Sequence, residues 1–245
     1  MGSSDPEDGK GVYWMKYFGE GLSEQHKKLQ HIIRKEQELD TAKELFLSIH
    51  AALHTSAVSE MPGNEVDALL QDLQEYEFAI MPTSKAETIA WVIWHIARIE
   101  DLTMNMLVAR QEQVWNAEWK QRLHTKLEDT GNALTDDEIM DFSKTVCIRE
   151  LLAYRNAVGC RSRLLVQELT FKDMKRHVSQ HDLARIRLCG GVSEHPDSLW
   201  LLEFWGKKDV AGILLMPPTR HMMLHLNDCC RWKLEIRNRK HRYRS

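Results

Sequence analysis

Three pairs of histidines have the spacing i and i+4, which suits metal binding. The pairs are His50 and His54, His177 and His181, and His221 and His225. On a helix, residues four apart lie on one face, about one turn from each other. Two imidazoles placed in this way can reach one ion at about 2.0–2.1 Å. The pattern therefore predicts a metal site, and the surroundings of each pair indicate which pair holds the ion.

The pair His221 and His225 has the most favourable surroundings. It follows Pro217-Pro218, and proline is tolerated in a first helical turn but not inside a helix. Trp232 lies on or beside the same predicted face, so we expect both imidazoles to point inward and to act as ligands. The alternative is a pair of hydrogen-bonded core histidines. Asp228, three residues after His225, is predicted either to support the ligands or to join them, with an exposed Asp as the alternative.

His95 supplies a third imidazole from a different predicted helix. It lies on an apolar stripe, where a histidine alone is more often a satisfied core residue. Together with an inward pair, it would complete a site of three protein ligands with one open position, as catalytic zinc centres have. Arg98, almost one turn further on, is predicted to meet an anionic substrate or, with greater weight, to pair with Glu100, Asp101 or another helix.

The other two pairs are predicted to have different roles. His50 and His54 flank Leu53 on the first helix. We expect a hydrogen-bonded or structural role behind the ligands rather than direct ligation, with His54 as the candidate for that role. His177 and His181 lie in a polar stretch without an apolar stripe. We expect that pair to face solvent.

The segments that must position these residues have the periodicity of helices. The chain contains 12 Gly and 6 Pro among 245 residues, too few for the many turns of an all-β protein. Apolar residues recur every three or four positions in four segments. We predict one long or two abutting helices over 22–57, and further long helices over 85–112, 145–168 and 219–235. The predicted fold is an all-α four-helix bundle with long crossover connections, over 113–143 and 171–215.

Shorter elements are predicted from capping patterns and turn residues. Ser84 and Glu87 have the capping-box spacing for the second long helix, and Thr135 with Glu138 has it for a short helix inside the first crossover. Residues 67–76 and 180–188 are expected to be short helical pieces. No strand is assigned over 198–215.

Charge and cysteine content narrow the functional classes. The net charge of −3 gives no overall reason to expect nucleic acid as a partner. The end from Arg231 to Ser245 is basic, with seven Lys or Arg and one Glu. We expect residues 236–245 to form a solvated tail with few buried contacts, and a nucleic-acid-binding arm is the alternative. Five cysteines without a Cys-x-x-Cys spacing favour a reducing, cytoplasmic compartment. No apolar run approaches the roughly 18 residues of a membrane span.

Two stretches together resemble a known family. Thr88 to Asp101, with the sequence TIAWVIWHIARIED, and Pro217 to Asp228, with the sequence PPTRHMMLHLND, are similar in type, order and separation to the motifs of the DinB/YfiT-like metalloenzyme superfamily. The resemblance spans about residues 40–235. It implies a bundle in which His95, His221 and His225 surround a divalent ion, nickel or zinc. It also implies a domain over 22–235, between a loose extension over 1–21 and the basic tail.

The resemblance also indicates a class of chemistry. The family includes S-transferases and an isomerase that use low-molecular-weight bacterial thiols, although many members have no assigned reaction. A divalent ion on three imidazoles lowers the pKa of a thiol or water in its open position. We therefore expect a thiol S-transferase, with a metal-dependent hydrolase or a non-enzymatic helical interaction module as alternatives. The expected partner is a small-molecule substrate, with no membrane or nucleic acid, and a homodimer is left open.

Overall fold

The computed structural model describes residues 21–60, 62–83 and 87–242. The predicted extension over residues 1–21, except Gly21, and Ser84 of the predicted capping box lie outside the described residues. The described parts contain α-helices and no strand, and a single backbone bridge joins His177 to Asp209. The predicted all-α fold class is confirmed.

The α-helices are numbered in chain order. They are α1 (Leu22–Ile32), α2 (Leu39–Ala52), α3 (Ser56–Ser59), α4 (Glu65–Leu70), α5 (Glu75–Phe78), α6 (Ile89–Asp101), α7 (Ala117–Leu123), α8 (Asp136–Thr145), α9 (Ile148–Glu168), α10 (Phe171–Met174), α11 (Gln180–Leu188), α12 (Pro196–Gly206), α13 (Val210–Leu214) and α14 (Met222–Arg242). A 3-10 helix covers Glu36–Glu38, and π-helical turns cover Leu102–Val108 and Met216–His221. None of the described helices combines the length and the hydrophobicity of a membrane span.

Helix α6 is the centre of the fold. Every residue of α6 is buried, including its charged residues. It packs against α9 and α14, while α9 also packs against α2. Helix α2 in turn contacts the π-helical turn Met216–His221 before α14. These contacts surround one hydrophobic core. They bury His50 of α2 and His95 of α6, and His225 of α14 is partly buried.

The π-helical turn Met216–His221 leads directly into α14. Pro217 and Pro218 lack a backbone N–H and cannot donate the hydrogen bonds of a regular helix. The Thr219 hydroxyl donates a 2.8 Å hydrogen bond to the carbonyl of Leu214, which helps to satisfy the backbone at this irregularity. The predicted final helix over 219–235 therefore has different bounds in the structure: α14 begins at Met222 and continues to Arg242.

Several predicted boundaries differ from the structure. The segment 22–57 contains two main helices, α1 and α2, separated by a 3-10 turn. Helix α6 begins at Ile89 rather than Lys85, because the Thr88 hydroxyl accepts the N–H of Trp91 at 3.1 Å and caps the helix there. The segment 198–215, which was predicted without a regular element, belongs largely to α12 and α13. Its consecutive apolar residues at 199–202 obscure the helical period.

Two of the shorter elements match the prediction closely. Thr135 and Glu138 form the expected capping box at the start of α8, where the Thr135 backbone N–H donates to Glu138 Oε2 at 2.8 Å. Helix α11 covers the predicted residues Gln180–Leu188. Local hydrogen bonding therefore determines these boundaries in the way that the sequence indicates.

Candidate metal centre

The structure brings His95, His221 and His225 together, although α6 and α14 are far apart in sequence. The Nε2 atom of His221 lies 3.2 Å from Nε2 of His95 and 3.1 Å from Nε2 of His225. His95 is 3% exposed, and the other two are partly buried. One potential ligand atom from each ring therefore lies in a single compact group.

These separations suit a small cation. Two ligands at about 2.0–2.1 Å from a tetrahedral ion are separated by about 3.3 Å, close to the 3.1 and 3.2 Å found here. Three neutral nitrogen ligands also match the preferences of zinc and nickel. The residues present therefore fit the divalent ion that the family resemblance implies.

Protonation of the rings gives a second argument for a cation. Nδ1 of His95 lies 2.9 Å from the carbonyl oxygen of Thr130. Because a carbonyl can only accept, the proton of neutral His95 lies on Nδ1, and Nε2 carries a lone pair directed at His221. If His221 Nε2 carries a proton, it can donate that proton to only one of the two neighbouring Nε2 atoms. It then has no lone pair with which to accept a hydrogen bond from the other ring. The group is therefore poorly satisfied by hydrogen bonds alone.

Burial keeps the three rings neutral. It lowers the pKa of His95 to about 3, with the neighbouring His225 contributing further. Burial also lowers the pKa of His221 well below its ordinary value, and it lowers the pKa of His225. Because only a neutral imidazole can donate its lone pair to an ion, all three rings are in the ligating form at neutral pH.

A loop between α7 and α8 holds His95 in place. Four consecutive carbonyl oxygens of residues 128–131 accept hydrogen bonds from side chains of α6. The donors are Arg98 to Glu128 at 2.9 Å, Trp94 to Asp129 at 2.9 Å, His95 to Thr130 at 2.9 Å and Trp91 to Gly131 at 3.1 Å. The Trp91 ring also stacks on the His95 ring, with centroids 4.6 Å apart and an interplanar angle of 11°. The ring of His95 is therefore fixed by both hydrogen bonding and packing.

A small cavity adjoins the three histidines. It has a volume of about 130 Å³, and both His95 and His221 contribute to its wall. Apolar and aromatic side chains of α12 and the π-helical turn form most of the rest of the wall. A ligand in this cavity would lie directly beside the imidazoles.

Asp228 and Arg98 do not contact the imidazole cluster through hydrogen bonds. Asp228 pairs with Arg231, with Oδ1 and Nη2 at 2.5 Å. Arg98 is fully buried and pairs with Asp101 at 3.2 Å, one of the partners considered from the sequence, and it also donates to Tyr154 at 3.1 Å. Arg98 therefore ties α6 to neighbouring segments and does not face the cavity.

His50 and His54 form a second buried cluster, with Glu100 of α6. Nε2 of His50 is 2.7 Å from Oε1 of Glu100, and Nε2 of His54 is 3.1 Å from Oε2. All three side chains are fully buried. Burial alone would raise the pKa of Glu100, but His54 and His50 hold it well below its ordinary value. Burial lowers the pKa of His54 to about 3.

This second cluster also has the composition of a metal site, but pairing of the imidazoles with the carboxylate accounts for it better. His50 makes a hydrogen bond to Glu100, whereas the His54 contact is close without hydrogen-bond geometry. Protons on both Nε2 atoms can face the carboxylate of Glu100, which accepts only. If an ion took those two nitrogens, the protons would move to Nδ1, where neither His50 nor His54 has a hydrogen-bond partner. The buried cation Arg155, which lies near Glu100 and His54, also disfavours an added positive charge. His54 thus belongs to this cluster and not to the group around His95.

Sequence reasoning missed two contributors to these sites. Glu100 was considered only as a partner for Arg98, although its place five residues after His95 on an apolar helix indicates burial. Thr130 acts through its backbone carbonyl, for which the sequence carries no side-chain signal. His177 and His181 are both exposed, as expected for a solvated pair.

One comparison with known proteins supports this architecture. A search among curated proteins found no match. The family model described as the DinB superfamily matches residues 60–207, which include His95 and the loop that holds it but end before His221 and His225. The match covers more than half of the chain, and the helical structure adds the two later histidines to the matched one. The chain therefore belongs to the DinB superfamily.

Proposed function

We propose that this protein is a divalent-metal-dependent enzyme that activates a low-molecular-weight thiol and transfers it to an electrophilic small molecule. The observation that carries the proposal is the convergence of three neutral imidazole nitrogens beside a cavity, with separations of 3.1 and 3.2 Å. His95, His221 and His225 would hold the ion, which is nickel or zinc. When bound, the ion supplies Lewis acidity that lowers the pKa of a thiol or water near it.

The residues of the chain contribute binding and positioning. The carbonyl of Thr130 keeps the His95 proton on Nδ1 and so keeps Nε2 available. Trp91 limits rotation of the His95 ring by stacking on it. The apolar wall of the cavity reduces the access of water, which favours a thiol over water as the nucleophile. In the overall reaction the thiol loses its proton to solvent, a sulfur–carbon bond forms, and the bond from that carbon to its leaving group breaks.

The test compares thiol transfer by matched histidine variants. Protein loaded with Zn²⁺ or Ni²⁺ is mixed with 1-chloro-2,4-dinitrobenzene and, in turn, bacillithiol, mycothiol, glutathione or cysteine, and release of chloride and formation of the thioether are followed. We expect His221→Ala to lower the rate to the uncatalysed background with the preferred thiol. His177→Ala is the control, because His177 is an exposed histidine of another HxxxH pair, and it should keep the parental rate.

Two outcomes would contradict thiol transfer. Identical rates for the parent and His221→Ala with every thiol would refute it. Metal-dependent hydrolysis of an ester or amide probe, lost in His221→Ala and without thiol transfer, would instead assign water as the nucleophile. Absence of both reactions in metal-loaded protein would favour a non-enzymatic module.

A further inference from the structure

We propose that the cavity beside the three histidines binds an uncharged group the size of a single aromatic ring, carried by the electrophilic substrate. This inference rests on the proposed function and specifies its substrate class. The cavity is lined by residues of α12, α6 and the π-helical turn Met216–His221, so it combines the imidazoles with aromatic side chains of α12.

The chemistry of the wall selects against charge. Among the described residues that line the cavity, none is Asp, Glu, Lys or Arg. Asn132 supplies a polar side chain, whose Oδ1 accepts a 2.7 Å hydrogen bond from the Thr130 hydroxyl. In the metal-free protein, a carboxylate or ammonium group entering this space would lose water without gaining an ionic partner from the wall. The cavity therefore favours a neutral ligand.

The size of the cavity sets the size of the group. Its volume is about 130 Å³, and an apolar protein cavity of about 150 Å³ is large enough to bind benzene. One six-membered ring or an alkyl group of similar volume fits, whereas two fused rings would either extend past the half-exposed Trp200 into solvent or require the wall to move. Because side chains are closely packed, such movement is energetically costly.

The aromatic side chains of α12 are arranged to contact a flat group. Trp200 is 50% exposed, and its ring meets that of Phe204 edge to face, with centroids 6.0 Å apart and an interplanar angle of 67°. The indole Nε1 of Trp200 donates a 2.9 Å hydrogen bond to the carbonyl of Asp197. This bond orients the indole ring even when no ligand is bound. Trp205, in contrast, is 1% exposed and also lines the cavity. An aromatic group can therefore stack or make edge contacts at this wall.

The position of the cavity connects this specificity to the reaction. Its wall includes both His95 and His221 and both Trp200 and Phe204. A ring bound against α12 would place an attached electrophilic carbon beside the imidazoles. Trp200 and Phe204 are thus assigned as residues that determine specificity by contacting the substrate.

Ligand binding can be measured without catalysis. Metal-free full-length protein is titrated with benzyl alcohol, benzoate and 1-naphthalenemethanol, and binding is followed by ligand-observed NMR. We expect saturable binding of benzyl alcohol and at least about tenfold weaker binding of the other two. Trp200→Ala and Phe204→Leu should each weaken benzyl alcohol binding about tenfold, which corresponds to about 1.4 kcal/mol. Leu188→Ala, which alters an 86% exposed leucine outside the cavity wall, is the control and should bind as the parent does.

The outcomes separate this inference from the proposed function. Selective benzyl alcohol binding that depends on Trp200 supports the inference even if no thiol is transferred, in which case only the reaction is wrong. Equal binding of benzoate and benzyl alcohol, or no effect of Trp200→Ala and Phe204→Leu, would overturn the inference even if thiol transfer is observed. Concentration-dependent dimerisation that Trp200→Glu abolishes and benzyl alcohol does not affect would assign the aromatic surface to a second copy of the chain and would also overturn it.

Discussion

Nδ1 of His95 donates a 2.9 Å hydrogen bond to the carbonyl oxygen of Thr130. This bond determines which nitrogen of the ring faces His221 with a lone pair, because the proton of neutral imidazole can occupy only one nitrogen. The carbonyl is held by the loop that also accepts hydrogen bonds from Trp91 and Trp94. The protonation state of the site thus depends on a loop that contributes no side chain to the imidazole group.

Changing this loop should weaken metal binding. Gly131 has a φ of +74°, and a Cβ atom there would lie 2.8 Å from Nε1 of Trp91. Gly131→Ala must therefore displace the loop or Trp91, and the His95 hydrogen bond would be disturbed. We expect zinc affinity to fall about tenfold. This is the lower end of the range that is typical when a metal ligand loses the hydrogen-bond partner that orients it. Competition with a chelating dye measures this affinity.

Gly190 offers a matched control for the backbone conformation. Its φ is +72°, but a Cβ atom there would meet nothing within 4 Å. Gly190→Ala carries a similar penalty for a left-handed conformation, about 1–2 kcal/mol, without the contact to Trp91. Zinc affinity in Gly190→Ala should equal that of the parent. A similar loss in both variants would show that reduced stability, not the loop contact, weakens binding.

Metal stoichiometry should distinguish the two histidine clusters. We expect one ion per chain in the parent and almost none in His225→Ala, since removal of one of three ligands leaves an incomplete site. Glu100→Gln should keep one ion. It should also lower the free energy of unfolding by about 1–3 kcal/mol, because a buried charged hydrogen-bond acceptor is lost.

Elemental analysis and urea unfolding measure these two effects. His181→Ala is the control for histidine removal, because its side chain is 82% exposed. Two ions per chain in the parent, with one remaining in Glu100→Gln, would place an ion at the cluster of His50, His54 and Glu100. That result would contradict the hydrogen-bonding interpretation of the second cluster.

The long helices and the three imidazoles could be predicted because each leaves a local pattern. His95 lies on an apolar helical stripe, and the spacing of His221 and His225 places them on one face of a helix. The convergence of the two helices depends on contacts between distant segments, and the expectation that they meet rested on the family resemblance. The all-α class follows from the same periodicity.

Other features could not be predicted because their causes are not local. The carbonyl of Thr130 reaches His95 only through the path of a loop, and any residue type supplies such a carbonyl. The apolar run before Phe204 has no clear helical period, so α12, and with it the aromatic wall of the cavity, was not expected. The helical character of residues after Glu235 was also missed, because the abundance of Lys and Arg suggested a solvated end.

The stability of the metal-free protein should fall as the pH decreases below about 6.5. The pKa values of His95 and His54 are both lowered to about 3 in the folded protein, first by burial, whereas an unfolded histidine titrates near 6.5. Between these values the unfolded chain binds more protons, so stability is fully present above about 6.5 and decreases below it. Each histidine contributes at most about 1.4 kcal/mol per pH unit.

Urea unfolding at several pH values between 5 and 7 measures this effect, and it avoids the range in which carboxylates titrate. His95→Gln should reduce the slope of stability against pH by about one proton. His181→Gln, at an exposed position, should leave the slope unchanged. An unchanged slope in His95→Gln would contradict the lowered pKa of His95.

The effect of truncating the basic end on the free energy of unfolding should depend on the residue at which the deletion begins. Helix α14 continues to Arg242, Ile236 is 3% exposed, and Arg237 pairs with Asp72 at 2.7 Å. Deleting residues 236–245 removes these contacts, and we expect the free energy of unfolding to fall by about 2–3 kcal/mol, mostly from loss of the buried isoleucine. The sequence alone indicated a tail whose removal changes little.

Deleting only residues 239–245 is the matched control for this truncation. It retains Ile236 and Arg237 and removes four of the basic residues, at 239, 240, 242 and 244. Because Arg239 is exposed, we expect a change within about 0.5 kcal/mol. Urea unfolding of both truncated proteins and the parent is measured at 0.15 and 1 M NaCl. The contribution of the buried Ile236 to stability persists at high salt, whereas exposed ion pairs are screened. Equal stability of the two truncated proteins would show that Ile236 contributes nothing to the fold.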